Sequence, residues 1–195
     1  NKPFFDKKVQ LDLNCLWISA LINAHQILPE KDYLKKAENF YEKIKEKFTF
    51  SSPYHSNDKK IVFLEDYALL INALIDLFEN TLNIKYKIEA KNLCDKVVEY
   101  FYIGNKDIFQ KNSVESNDLF IEPVDISDHT LPNGNSIMLR NFARLGLKES
   151  GEKLSNSLNG YLNIYKTFMF SSLKSIDLFK KISIGKKCNE QGCEI

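Results

Sequence analysis

Twelve residues, Asp125 to Ser136, hold two acids, a histidine, a proline, an Asn-Gly pair and an Asn-Ser pair, and an amphipathic run begins directly behind them. Two other polar clusters stand in the same position ahead of apolar runs: Asp12 with Asn14, and Glu65 with Asp66 and Tyr67. Two carboxylates across a sugar can hydrolyse a glycosidic bond when one is held protonated and the other ionised. Epimerisation by proton transfer needs a base at the same mouth. Of the three histidines only His129 is placed for that, since His25 falls inside a helical run and His55 in a loop. The candidate catalytic acids are therefore Asp66, Glu65 and Asp128. Asp66 is the central one, because it opens the most apolar run, where a helix N-terminus favours a carboxylate. Asp12, Asn14, Tyr67, Asn135 and Ser136 are the candidate ligand-binding residues; an amide such as that of Asn135 can both donate to and accept from a hydroxyl. The same residue types also cap helices, so three independent N-caps are the competing explanation.

The elements that must position these clusters read as an all-α chain of antiparallel helical hairpins. Leu11–Leu28 carries Leu11, Leu16, Trp17, Ala20, Leu21 and Ala24 and is expected to be well buried. Pro29 ends it. Asp32–Phe48 alternates Lys and Glu around Tyr33, Ala37, Tyr41 and Ile44, the pattern of an outer helix. After a loop at Thr49–Lys60, Leu64–Leu82 is again strongly apolar and Asn83–Tyr102 again charged on one side. Gly104–Pro132 lacks a helical period; a short β-hairpin is expected there, around Ile108-Phe109 and Leu119–Ile121. Pro132 and Asn133-Gly134 demand a turn, with Asn133, Asn135 or Ser136 free to cap the helix Gly134–Leu147. Lys148–Tyr165 and Phe168–Lys180 complete the helices, with a kink or break expected at Ser171-Ser172. Each unit is thus an apolar inner helix followed by an amphipathic outer one, at roughly 50–70 residues per unit. Three polar clusters at equivalent ends of three inner helices are expected to converge on one mouth.

Composition sets the outer bounds. With 195 residues, 44% hydrophobic and 27% charged, the chain is expected to form one globular domain. A net charge of +1 gives no reason to expect nucleic acid, and no apolar run is long enough to span a bilayer. Without a leader pattern it reads as cytoplasmic, and a chain opening on Asn1 reads as trimmed or partial. There is no glycine-rich phosphate loop and no metal-ligand cluster at recognisable spacing, so neither cofactor nor metal is expected. Cys15 and Cys94 fall on helical runs as reduced core residues. Cys188 and Cys193 lie in a polar tail beside Lys186 and Lys187, which favours thiolate.

Leu11-Asp-Leu-Asn14, Phe63-Leu-Glu-Asp-Tyr-Ala68 and Pro132-Asn-Gly-Asn-Ser136, in that order and spacing, with Cys188-Asn-Glu-Gln-Gly-Cys193 near the end, resemble the C-terminal half of the thioredoxin-domain-containing family of spermatogenesis-associated protein and its bacterial homologues. The resemblance spans essentially the whole chain. It implies about half of an (α/α)6 toroid, related to sugar 2-epimerases and six-hairpin glycosidases. It also implies first hairpins and an N-terminal thioredoxin-like domain that lie outside this chain. A sugar ligand at the mouth is then one expectation, and a non-catalytic interaction or scaffold module for the thioredoxin-like domain is the alternative. The redox expectation is a reversible Cys188–Cys193 disulfide that exchanges with that domain. The chain departs from the family at Leu13, Cys15, Glu65, Glu122 and His129, positions that would line the rim of a pocket. Half a toroid leaves the flanks of its inner helices uncovered, so the isolated chain is expected to self-associate or to be only marginally stable.

Overall fold

A computed structural model describes residues 3, 7–48, 53–56, 61–113 and 123–185. Seven α-helices follow one another: α1 (Leu11–Ile27), α2 (Tyr33–Lys47), α3 (Leu64–Thr81), α4 (Ile84–Phe101), α5 (Gly134–Leu145), α6 (Lys148–Leu162) and α7 (Phe170–Gly185). Between α4 and α5 stand two short strands, β1 (Tyr102–Ile103) and β2 (Ile108–Phe109). None of the described helices is long and apolar enough to cross a membrane.

The burial patterns sort the helices into two layers. α2 buries Ala37, Tyr41 and Ile44, a stripe at i, i+4, i+7 that can face only one way. α3 is buried from Leu64 to Ile75 on every side, so it can only be an inner helix. Inner α1, α3 and α5 each pack against the outer helix that follows, and α1 packs on α3, α3 on α5, and α5 on α7. α7 is therefore a fourth inner helix, continuing the ring. It runs unbroken through Ser171 and Ser172, correcting the expected break there, and Ser172 is fully buried.

Two close approaches tighten this ring. A Cβ on Gly134 would lie 2.8 Å from Leu64 Cγ, so the first turns of α5 and α3 meet where only glycine fits. At Gly151 a Cβ would overlap the Phe179 ring, which lets α6 lie directly on α7. Farther along α3, Arg144 donates to Asp76 Oδ1 (2.6 Å), to both Glu79 carboxylate oxygens (3.1 and 2.6 Å) and to Asn72 Oδ1 (3.1 Å), tying α5 to α3.

Two expectations change. The hairpin pairs Tyr102 with Phe109 and Ile103 with Ile108, so β2 turns back on the end of α4; Leu119–Ile121, its expected partner, lie outside the described residues. α1 is only half buried: Leu11, Cys15, Ile18 and Ile22 face the core, while Leu13 and Trp17 are 49% and 54% exposed. Phe168, Phe170 and Leu173 are exposed at the other end of the run of inner helices. A flank with no neighbouring hairpin leaves such side chains in water, which the apolar periodicity of α1 does not reveal.

Candidate functional site

The first turns of the inner helices are held together by extended chain. Leu11 N–H donates to His55 O (2.9 Å), Leu64 N–H to Lys111 O (2.9 Å) and Lys111 N–H to Pro123 O (2.6 Å). Isolated bridges join Gln10 to Ser56 and Phe63 to Asn112. These links bring the starts of α1 and α3 and the segment before α5 around one cavity of about 360 Å3. Asp12, His55, Glu65, Lys111, Asp125 and His129 are its titratable lining residues.

Asp66 is fully buried behind His55. Its Oδ2 accepts from Phe63 N–H (2.9 Å), capping its own helix in reverse, and its Oδ1 lies 2.9 Å from His55 Nδ1. His55 Nε2 lies 2.9 Å from Gln10 Nε2, so both ring nitrogens have partners. The hydrogen bond from Asp66 raises the His55 pKa above its ordinary value, against the opposing effect of burial. Asp12 accepts from Leu13 N–H at 2.7 Å, and burial raises its pKa, with the Asp66 charge adding to the effect. Asp12, His55 and Asp66 bring ligand atoms within 4.8 Å of one another, a donor set of the kind that can hold a metal. Sequence spacing showed no such cluster because His55 reaches it from the loop before α3; a histidine in a loop carries no signal of where the loop folds.

Glu65 differs from its neighbour. It lines the cavity, its Oε2 is shut off from solvent, and that atom has no hydrogen-bond partner among the described residues. Burial raises its carboxyl pKa above the ordinary value, against a hydrogen bond from its own main chain and the nearby Lys111 charge, which lower it; Asp125 and Asp66 add smaller upward pushes. Asp125 is paired with Lys111 at 3.3 Å and approaches His129 at 3.7 Å.

The remaining predicted residues are engaged elsewhere. Asp128 Oδ1 accepts from Asn133 N–H (3.1 Å) and Nδ2 (3.0 Å), while Oδ2 accepts from Ser171 N–H (2.7 Å). It clamps the approach to α5 onto the start of α7, with both oxygens engaged, and does not line the cavity where a catalytic acid was expected. Asn135, also fully buried, accepts from Phe109 N–H (3.0 Å) and donates to Phe109 O (2.9 Å) and Asp125 O (3.2 Å), so its amide holds β2 in place of a ligand. The cap of α5 is Asn133, whose Oδ1 accepts from Ser136 N–H, and Ser136 Oγ donates back to Asn133 O. Asn14 donates to Gln10 O at 2.6 Å, and the buried Tyr67 ring packs edge-on against Phe101. Asn14, Tyr67 and Asn135 do not line the cavity. Cys15 and Cys94 are buried free thiols, the latter pushed up to about 12 by burial, and Cys188 and Cys193 lie outside the described residues.

No family model matches the chain. A curated relative, the uncharacterized protein B0495.5 of Caenorhabditis elegans, is 26% identical over 159 residues, or 73% of this chain, which spans 21% of that relative's length. Among solved structures, a cellobiose 2-epimerase from Bacillus thermoamylovorans superposes with a TM-score of 0.62 at 15% identity over 95% of this chain and 63% of its own. A GH76 α-mannanase from Bacteroides thetaiotaomicron gives 0.63 at 15% identity over 96% and 56%. A D-mannose isomerase gives 0.53 at 16% identity over 91% and 44%. The chain thus has the fold of the helical toroids of the (α/α)6 class and spans roughly half of their length.

Proposed function

We propose that this chain is the C-terminal portion of a toroid whose mouth binds a sugar and transfers a proton to or from it, in the manner of an epimerase or a glycosidase. The observation that carries the reading is Glu65: a carboxyl whose buried Oε2 has no hydrogen-bond partner among the described residues, on the wall of a cavity of monosaccharide scale. A carboxyl whose pKa is raised by burial is suited to act as the acid, with Asp12 across the α1 start as the second carboxylate. His55 stands at the same wall, oriented by Asp66 at Nδ1 and by Gln10 at Nε2.

The test is a panel of reducing sugars and mannosides in deuterated buffer. Exchange of the C2 proton, followed by NMR, reports epimerase-like or isomerase-like chemistry; release of reducing ends reports hydrolysis. Glu65→Gln should retain sugar binding and lose turnover. A chain that neither binds nor turns over any member of the panel, alone or joined to its missing hairpins, removes the reading.

A second reading, an interaction module serving a thioredoxin-like domain, is favoured by one observation. Asp66, Asp128 and Asn135 are all committed to holding the chain in place, as a mouth polar for structural reasons would have them. In that case Glu65→Gln alters neither binding nor turnover, and a separately expressed thioredoxin-like domain is captured by the chain.

A further inference from the structure

A second cavity, of about 340 Å3, lies between the four inner helices. Each helix turns polar residues toward it, including Ser19 on α1, Asn72 and Asp76 on α3, Arg140 on α5, and Lys174 and Ser175 on α7. Among these polar residues the buried Asn72 has partners, donating to Ser19 Oγ (3.2 Å) and to Asp76 Oδ2 (2.9 Å). Their charges do not balance. Among the described residues Asp76 is the one acid on this lining, and Arg144 approaches it at 2.6 Å while Asn72 Nδ2 also donates to it. Arg140 and Lys174 are exposed and have no acid partner among the described residues. The wall therefore presents two unmatched cations, with hydroxyl and amide groups between them. Pro132 lines both this cavity and the mouth, so the two adjoin at the turn before α5.

We infer that this wall receives the anionic group of a phosphorylated or carboxylated sugar whose ring occupies the mouth. This rests on the carbohydrate reading given above and narrows its substrate class. A guanidinium and an ammonium facing one cavity suit the oxygens of a phosphate or carboxylate, the guanidinium in bidentate fashion. A neutral sugar leaves both cations hydrated and gains nothing from them.

Binding is measured by calorimetry and thermal shift with glucose, glucose 6-phosphate, glucuronate, mannose, mannose 6-phosphate and inorganic phosphate, at low and high salt. The wild-type chain is compared with the double variant Arg140→Gln, Lys174→Gln. Both residues are exposed, and circular dichroism checks that the fold is kept. Charged sugars should bind at least about tenfold more tightly than their neutral parents. That preference should shrink in high salt and vanish in the double variant, with neutral-sugar binding unchanged. The phosphate and carboxylate arms identify which anion is preferred. Equal binding of charged and neutral sugars, or a preference that survives the double substitution, overturns the inference while leaving the mouth reading intact. Inorganic phosphate that stabilises the wild type and not the double variant supports the wall even where no sugar binds. If neither phosphate nor any sugar binds, the inference falls.

Discussion

The approach to α5 and the first turn of α3 both bring acids and amides to the same mouth, and they use them in opposite ways. Before α5, Asp128, Asn133 and Asn135 close on one another and on the main chain, which fixes the start of α7, β2 and the cap of α5. At α3, Asp66 is closed in the same manner, but Glu65 beside it has a buried oxygen with no partner among the described residues. Closed polar groups build a site, and an open one is what is left to do chemistry. Residue type does not separate the two; hydrogen-bond partners do.

Substitutions can break this contrast, and the largest effect should come from Asn135→Ala. It strands the Phe109 N–H and leaves Phe109 O and Asp125 O without their donor in a buried place, and should cost about 3 kcal/mol in denaturant unfolding. Asp128→Ala loses three donors' worth of acceptor at a half-buried site and should cost about 2 kcal/mol by the same measurement. A loss under about 0.5 kcal/mol for either would show that these groups are not structural.

Asp66→Asn comes next. From the sequence, Asn looks like an adequate replacement because it also caps. In the structure both carboxylate oxygens accept, one from Phe63 N–H and one facing His55, so an amide must present its NH2 to one of them. A loss of about 1–2 kcal/mol is expected. The loss should depend on pH. The folded pKa of His55 is raised, so its contribution is fully present below the ordinary value of 6.5 and disappears as pH rises through the raised value. The gap between wild type and variant should narrow over that rise; a gap constant with pH would show that His55 does not charge against Asp66.

Glu65→Gln should have the smallest effect and the opposite sign. The folded pKa of Glu65 is raised by burial, so the wild type is at its best below the ordinary value of 4.5 and loses stability as pH rises through the folded value. The variant, with nothing to ionise, should match the wild type in acid and exceed it near neutrality. A Gln variant less stable than wild type at neutral pH would mean that the carboxylate has a partner after all.

Much of the fold was legible in the sequence, because burial imposes period. Ala37, Tyr41 and Ile44 mark an outer helix by spacing alone, and the long apolar run Ala68–Ile75 of α3, broken only by Asn72, marks an inner one. The turn before α5 was legible from Pro132 and Asn133-Gly134, with Asn133 emerging as the cap. What escaped is non-local. His55 joins Asp12 and Asp66 through a loop, Tyr102 pairs with Phe109 across a short turn, and Asn135 bonds main chain 26 residues away. None of these partners leaves a mark in the residues next to it. The three polar clusters do meet at one cavity, but composition could not say which of their atoms would remain free once they met.

Trp17 is the single tryptophan of the 195 residues, and it stands half in water on the outward face of α1, beside Leu13. The chain thus carries its one indole fluorophore on the flank where a preceding hairpin, or a second copy, would lie. Its emission should be that of a hydrated indole while the flank is bare and should shift to the blue when the flank is covered. Titrating the chain against itself, or against a polypeptide carrying the other hairpins, would make ring closure visible as a colour change without any label.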